Sequence, residues 1–190
     1  SYAAKESIDT LKTYELQNVQ VTSTRAGKHT PMAFSTLNKD QIKKINHGQD
    51  IPFLLSLTPS VTTTSDAGNG IGYTSLKVRG TDPSRINFTA NGIPVNDAES
   101  SQVFFVNMSD FMSSVKDLQI QRGVGTSTNG SAAFGATVNM QTDAPSLYPY
   151  LNFNASAGSY ATHKENLRFG SGLLGNHWSF DGRLSNISSN

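Results

Sequence analysis

The stretch Ser75-Leu-Lys-Val-Arg-Gly-Thr-Asp-Pro-Ser-Arg-Ile-Asn-Phe-Thr-Ala-Asn-Gly-Ile-Pro-Val-Asn96 decides the fold. Within it Ser75 to Arg79, Ile86 to Ala90 and Ile93 to Val95 read as short strands in quick succession, bounded by Gly, Pro and Asn. Asn91-Gly92 joins the last two, and both residue types tolerate the positive φ that a two-residue hairpin turn demands. Upstream, residues 62 to 74 are Gly-rich and polar, with too few apolar side chains to bury, and read as an exposed loop. Downstream, a second long polar loop opens at Asn96 (NDAESSQ). Val115, Leu118 and Ile120 then mark a further strand, and Val138 and Met140 another.

Further out lie short helices. Asn38 with Gln41 forms a capping-box pattern, Ile42 and Ile45 share a face, and Gly48 stands where a helix stops, predicting a helix over roughly 39 to 46. Asp50 is placed to cap a second, with Pro52 in its first turn, Phe53, Leu54 and Leu57 as its apolar side, and Pro59 at its end. Val19 to Thr24 reads as a short strand, and residues 1 to 18 as a flexible polar arm. The fold class is α+β: a small mixed-sheet domain over 19–145 with short helices.

Beyond Pro149 the pattern changes. In Leu151-Asn-Phe-Asn-Ala-Ser-Ala157 apolar and polar residues alternate; the dyad returns with Leu167 and Phe169 against Asn166 and Arg168, then with Trp178, Phe180 and Leu184 against Ser179, Asp181 and Arg183. Segments of this length with tight turns between them suit either a soluble hairpin with one buried face or the first antiparallel strands of a transmembrane β-barrel. Three strands cannot close a barrel, so on the second reading residues 146–190 hold only its start.

Composition narrows the functional classes. Fifteen Lys plus Arg against 14 Asp plus Glu give a net charge of +1, without the basic excess that nucleic-acid binding requires. Ser, Thr, Asn and Gly total 74 of 190 residues, a surplus that favours turns and half-wet strands over long helices. The absence of Cys removes disulfides, thiolate metal sites and thiol nucleophiles. His29, His47, His163 and His177 are too scattered for a metal motif, Gly68 to Gly72 lacks phosphate-loop spacing, and no G-x-S-x-G occurs. No enzyme, cofactor or metal is expected.

Six segments, in order, resemble the plug domain of TonB-dependent outer-membrane receptors. Val19-Gln-Val-Thr-Ser-Thr-Arg25 resembles V-V-V-T-A-T-R, and Ile51 to Val61 is similar to the L-L-x-x-x-P-G-V helix with Ser60 replacing Gly. Leu76-Lys-Val-Arg-Gly80 matches I-x-I-R-G, and Ala90 to Asp97 matches D-G-I-P-x-N-D with Asn91 replacing Asp. Val115 to Gly123 is similar to I-x-x-I-E-V-x-R-G with Gln121 departing, and Asn129 to Thr142 resembles Y-G-S-x-A-x-G-G-V-I-N-I-x-T. The Thr-Asn-Gly…Phe-Gly flavour resembles the Bacteroidota branch.

The resemblance implies a barrel of about 22 strands occluded by the plug, with the plug inside the barrel and the arm in the periplasm. It implies import of a scarce large nutrient (a ferric siderophore, haem, cobalamin or oligosaccharide) when a TonB-type energy-coupling protein pulls on the arm. About 500 further residues of barrel would follow Asn190. The coupling box is either Asp9-Thr10-Leu11 or the segment Leu16 to Val21, which includes Val19. Arg79 and Arg122 are expected to pair with carboxylates of the barrel wall. The loops carrying Asp66, Asn69, Tyr73, Asp97, Glu99 and Gln102 are expected to share one end and floor an extracellular vestibule. The alternative is a secreted β-rich binding or adhesion module whose loops contact a partner.

Overall fold

The computed structural model describes residues 25–26, 32–123, 134–159 and 161–189. The arm, the strand expected over Val19 to Thr24, and His29 lie outside the described residues, as do residues 129–133 at the start of the Asn129 motif.

A five-stranded mixed sheet forms the centre, in the order β1-β6-β7-β4-β5. Its strands are β1 (Ala33–Asn38), β4 (Ile86–Ala90), β5 (Ile93–Pro94), β6 (Val115–Arg122) and β7 (Ala136–Thr142). β4 and β7 run parallel and the other pairs antiparallel. A separate hairpin pairs β2 (Val61–Ser65) with β3 (Thr74–Val78). The turn between β4 and β5 has Asn91 at φ 52° and Gly92 at φ 82°, the doubly left-handed turn its sequence demands.

Two short helices follow, the first packed on β1 and β6 and the second on the β2–β3 hairpin. α1 (Lys39–Ile45) begins with the complete capping box, Asn38 and Gln41 each accepting from the other's backbone N–H, and buries Ile42. α2 (Ile51–Leu55) is shorter than expected: its buried side is Ile51, Leu54 and Leu55, whereas Leu57 falls past its end and is 77% exposed. Asp50 precedes it but does not cap it with its side chain; the carboxylate accepts instead from Thr74 Oγ1 at 2.9 Å. Burial raises the pKa of this carboxyl against the opposing hydrogen bonds from Thr74 and the Gly72 backbone.

The core is Ile42, Leu54, Leu55, Leu76, Val78, Ile86, Phe88, Leu118, Ile120, Val138 and Met140, with Phe88 and Phe105 in edge contact, centroids 5.2 Å apart. On the opposite face of the same strands Asn87, Thr89, Gln119, Gln121, Thr137 and Asn139 are buried as well. This layer is amide and hydroxyl, and partly self-satisfied: Thr89 Oγ1 donates to Asn139 Oδ1 at 2.6 Å, and Gln121 Nε2 to Gln119 Oε1 at 3.0 Å. A sheet buried on both faces departs from the half-wet expectation. Two strands went unread: β1, whose AFSTLN shows no clean alternation, and β2, whose Thr run pairs with β3 and confines the loop to residues 66–73.

After Pro145 the chain forms a three-stranded meander of β8 (Pro149–Ala157), β9 (His163–Ser171) and β10 (Asp181–Ser188), open at both edges. Its apolar face points outward: Leu151, Phe153, Phe169 and Leu184 are exposed, while Lys164 and Asn166 on the polar face are buried against the sheet domain. A soluble hairpin would do the reverse, and this arrangement is that of membrane-barrel strands, lipid side apolar and lumen side polar. Trp178 and Phe180 belong to the turn before β10 rather than to the strand.

Tyr150 crosses its neighbour at Gly170, and its hydroxyl donates to Asp181 at 2.7 Å. A Cβ at Gly170 would lie 2.3 Å from Tyr150 Cε1. Gly170→Val therefore expels the ring and costs about 1–3 kcal/mol, measurable as a lowered denaturation midpoint; an unchanged midpoint would show that the ring does not hold this place.

Candidate functional site

Three regions gather the residues that matter. The first is a cavity of about 200 Å³ where the β2–β3 loop meets the segment leading to the 3₁₀ turn Phe105–Met108. Asp66, Tyr73 and Gln102 line it together with Phe104 and Val106. Tyr73 is 70% exposed and Phe104 half exposed, so the cavity has an aromatic rim available to a ligand. The other vestibule candidates stand apart from this lining. Asn69 donates to Ser189 Oγ, just past β10, at 3.1 Å. Asp97 accepts from the Ser100 and Glu99 backbone, which lowers its pKa, and from Ser100 Oγ; this closes the 97–102 loop on itself with Glu99 on the turn. The expected sextet is thus a trio plus separate loop positions.

The second region is the Arg-Gly corner. Arg79, at φ 53°, follows β3 and donates its backbone N–H to Ser60 O at 2.8 Å. Ser60 has φ 69°, the left-handed conformation that ordinarily favours Gly. Arg122 ends β6 and donates Nη1 to Pro59 O at 3.2 Å, while its Nε is buried with no hydrogen-bond partner among the described residues. A Cβ on Gly123 would sit 3.9 Å from Arg79 Nη1, so the Arg79 guanidinium lies beside the chain just after Arg122. Neither has a carboxylate partner among the described residues.

The third region is the seam between sheet domain and barrel strands, and its charges run opposite to the expected arginine pairing. Asp110, in the left-handed conformation at φ 54° and with its side chain fully buried, precedes the 3₁₀ turn Phe111–Ser114. One carboxylate oxygen takes Lys164 Nζ at 2.5 Å and the Ser113 hydroxyl; the other takes Asn166 Nδ2 at 2.6 Å and Ser185 Oγ at 2.5 Å. Arg183 donates to the Asp110 backbone carbonyl and lies 3.8 Å from the carboxylate. Burial alone would raise the Asp110 pKa, yet these hydrogen bonds and the Lys164 charge together hold it below its ordinary value.

Asp143, one residue beyond β7, repeats the arrangement. Lys39 Nζ contacts one oxygen at 2.5 Å, and Arg168 Nη2 lies 2.8 Å from the other, an ion pair without hydrogen-bond alignment. Arg168 also donates to Ser113 O at 3.2 Å. Plug carboxylates therefore receive wall cations. Sequence reasoning placed Asn166, Arg168 and Arg183 on the polar side of the dyad but did not ask what they meet. The available signal was the run of inward positions Lys164, Asn166 and Arg168, too costly to leave unpaired inside a barrel. No group of three or more metal-ligating side chains gathers among the described residues.

A small mixed sheet seated on the polar face of antiparallel strands, whose apolar side faces out, defines an occluding domain with the wall that holds it. Residues 26–137 match the family model described as TonB-dependent Receptor Plug Domain, and the chain belongs to that family. Among solved structures it is similar to the FpvA receptor of P. aeruginosa bound to heterologous pyoverdines, at 16% identity and TM-score 0.66 over 85% of this chain and 21% of that one. It is also similar to the alcaligin outer-membrane receptor FauA of Bordetella pertussis, at 20% identity and TM-score 0.63 over 84% and 27%. The siderophore receptor PiuA of Acinetobacter baumannii matches at 18% identity and TM-score 0.64 over 85% and 21%. At these identities the likeness shows the fold, and the chain spans about a quarter or less of each receptor's length. Comparison with curated proteins gave no match.

Proposed function

We propose that the chain is the plug, with the opening barrel strands, of a TonB-dependent outer-membrane receptor that imports a scarce large nutrient. The observation that carries this reading is the seam: inward Lys164, Asn166, Arg168, Arg183 and Ser185 meet the plug, while Leu151, Phe153 and Leu184 face outward. A secreted adhesion module would have to leave that apolar face in water, which counts against it. The plug sits in the barrel lumen, residues 1–18 reach into the periplasm, and an energy-coupling protein engages them there. On the Thr-Asn-Gly…Phe-Gly motif we place the receptor in the Bacteroidota-like branch.

The ligand we infer is a ferric siderophore, since two structures of similar fold are siderophore receptors, contacted at the plug by Asp66, Tyr73 and Gln102, with Asn69, Asp97 and Glu99 on the adjoining loops. The acids weigh against strongly anionic ligands at this floor. Growth of a deletion strain on each candidate nutrient as limiting source names the substrate, with haem, cobalamin and oligosaccharide as the competing outcomes. Alanine at all six loop positions of the full receptor is expected to weaken binding of that substrate by about tenfold or more. Undiminished binding would remove these loops from the ligand site. Arg79→Ala and Arg122→Ala are expected to weaken association of isolated plug with isolated barrel, and unchanged affinity in both would make the corner purely local.

A further inference from the structure

We propose that the gap between α1 and the wall strands is a second binding site, taking a compact multivalent anion whose carboxylate or phosphate oxygens bridge plug to wall. This rests on the packing of the sheet domain against β8 and β9, and not on the import reading. A cavity of about 320 Å³ opens there, within the range of about 300–1,000 Å³ that small-molecule pockets occupy. It shares no lining residue with the vestibule cavity at Tyr73.

Charge decides what the cavity can hold. Lys39, Lys43 and His47 line it from the plug, and Lys164 and Arg168 from the wall, while no carboxylate lines it among the described residues. The carboxylates that partner these cations are turned away and already occupied. Asp110 has a fully buried side chain with both oxygens engaged, and Asp143 divides its oxygens between Lys39 and Arg168. The carboxylate of β9 itself, Glu165, falls on the outward side of the alternation and accepts from Asn186 Nδ2 at 2.8 Å. The lining is therefore left positive, and the low-dielectric walls of such a cleft focus its field. Lys39 and Lys43 stand one turn apart on α1, a like-charge pairing that an isolated helix resists. Burial of Ile42 fixes the roll of the helix and turns that side to the gap.

The donors differ in what they have left to give. Lys164 Nζ is committed to Asp110, to Ser113 Oγ at 3.0 Å and to Asn46 Oδ1 at 3.4 Å, so it lends charge alone. Arg168 spends donors on Ser113 O and Asp143 and keeps others of its planar fork. The Lys43 ammonium and the His47 ring have no partner among the described residues; His47 engages only its backbone N–H, with Gln49. The wall adds the Asn154 amide and the Ser156 hydroxyl. Uncommitted plug donors thus lie on one side of the gap and wall donors on the other. An anion with several charged oxygens ties the two sides together, whereas a monovalent ion neutralises one cation and bridges nothing.

The test measures anion binding to the full receptor at fixed ionic strength, because salt screens exposed charge. Citrate and inorganic phosphate are the probes, with chloride as the monovalent control. At least one probe should saturate a single site and raise the unfolding midpoint, since a ligand of the folded state stabilises it. Tighter phosphate identifies a free oxyanion as the occupant, and tighter citrate the carboxylates of a chelate. Lys43→Gln combined with His47→Gln should weaken binding by about tenfold or more and erase the midpoint shift, while the anion-free midpoint stays level or rises. Lys44→Gln removes a like charge from outside the lining and should leave binding intact. The six-alanine loop variant should also bind both probes normally. The proposal is overturned if neither probe saturates below about 10 mM, or if chloride competes as well as either probe. It is overturned equally if Lys44→Gln weakens binding as much as the paired variant, or if the six-alanine variant abolishes it. These readouts need no energiser, so a receptor that imports nothing would sink the transport reading and leave this result standing.

Discussion

Asp110→Ala is expected to destabilise the packing of plug on wall by about 3–5 kcal/mol, because it leaves Lys164 buried without its counter-charge and strands the donors of Asn166 and Ser185. The size comes from the asymmetry of buried ion pairs: the intact pair contributes little net, but a single member left behind carries its full desolvation penalty. Asp110→Asn should lose less, since the amide keeps the volume and one acceptor oxygen. Trp178 is the only tryptophan and sits in the β9–β10 turn, so its fluorescence during denaturant unfolding follows the wall strands. The pH dependence has a defined sign. The folded pKa of Asp110 is lowered, so its stabilisation is complete above the unfolded carboxyl value and is lost as pH falls from there through the lower folded value. Wild type should weaken in that acid window and Asp110→Asn should lack this component. Equal midpoints for wild type and Asp110→Ala would remove the anchor from the account.

Proline placed in the coupling box should reduce uptake to background while leaving ligand binding at the cell surface intact. Recognition of an extended arm by an energiser's sheet is a β-augmentation, in which backbone hydrogen bonds give affinity and alternate side chains give register. Proline deletes a ladder donor and fixes φ, so one substitution disables the added strand. Substituted singly through residues 8 to 21, prolines should fall silent outside the true box and thereby choose between Asp9-Thr10-Leu11 and Leu16 to Val21. Whole-cell uptake of the growth-supporting nutrient reads the effect, and normal uptake with proline at every position would refute the assignment.

Much of the plug was legible because its local signals agree with its tertiary packing. Asn38-Gln41 caps α1 as its spacing requires, Asn91-Gly92 makes the hairpin, and the apolar positions of β6 and β7 reach the core. What stayed hidden was structure made by partners distant in sequence. β1 carries no alternation because it is a half-exposed edge, and β2 has a Thr-rich sequence that becomes a strand only on β3. Asp50 shows the same limit, a cap by position whose carboxylate is drawn to Thr74. The barrel dyad was visible, but its sense was not, because alternation alone does not say which face is wet; the Asp110 and Asp143 contacts settle it by drawing the polar side inward. The arginine pair marks a further limit: Arg79 and Arg122 meet no carboxylate among the described residues, so nothing there speaks to their expected pairing with the wall.

The measurement that bears most directly on the central claim is accumulation of the growth-supporting nutrient by cells carrying the full receptor, with the proton gradient intact and collapsed. A plugged receptor driven through its arm should bind the ligand equally in both states and accumulate it only when energised. Equal accumulation after collapse of the gradient, or its persistence when residues 1–18 are deleted, would contradict the account.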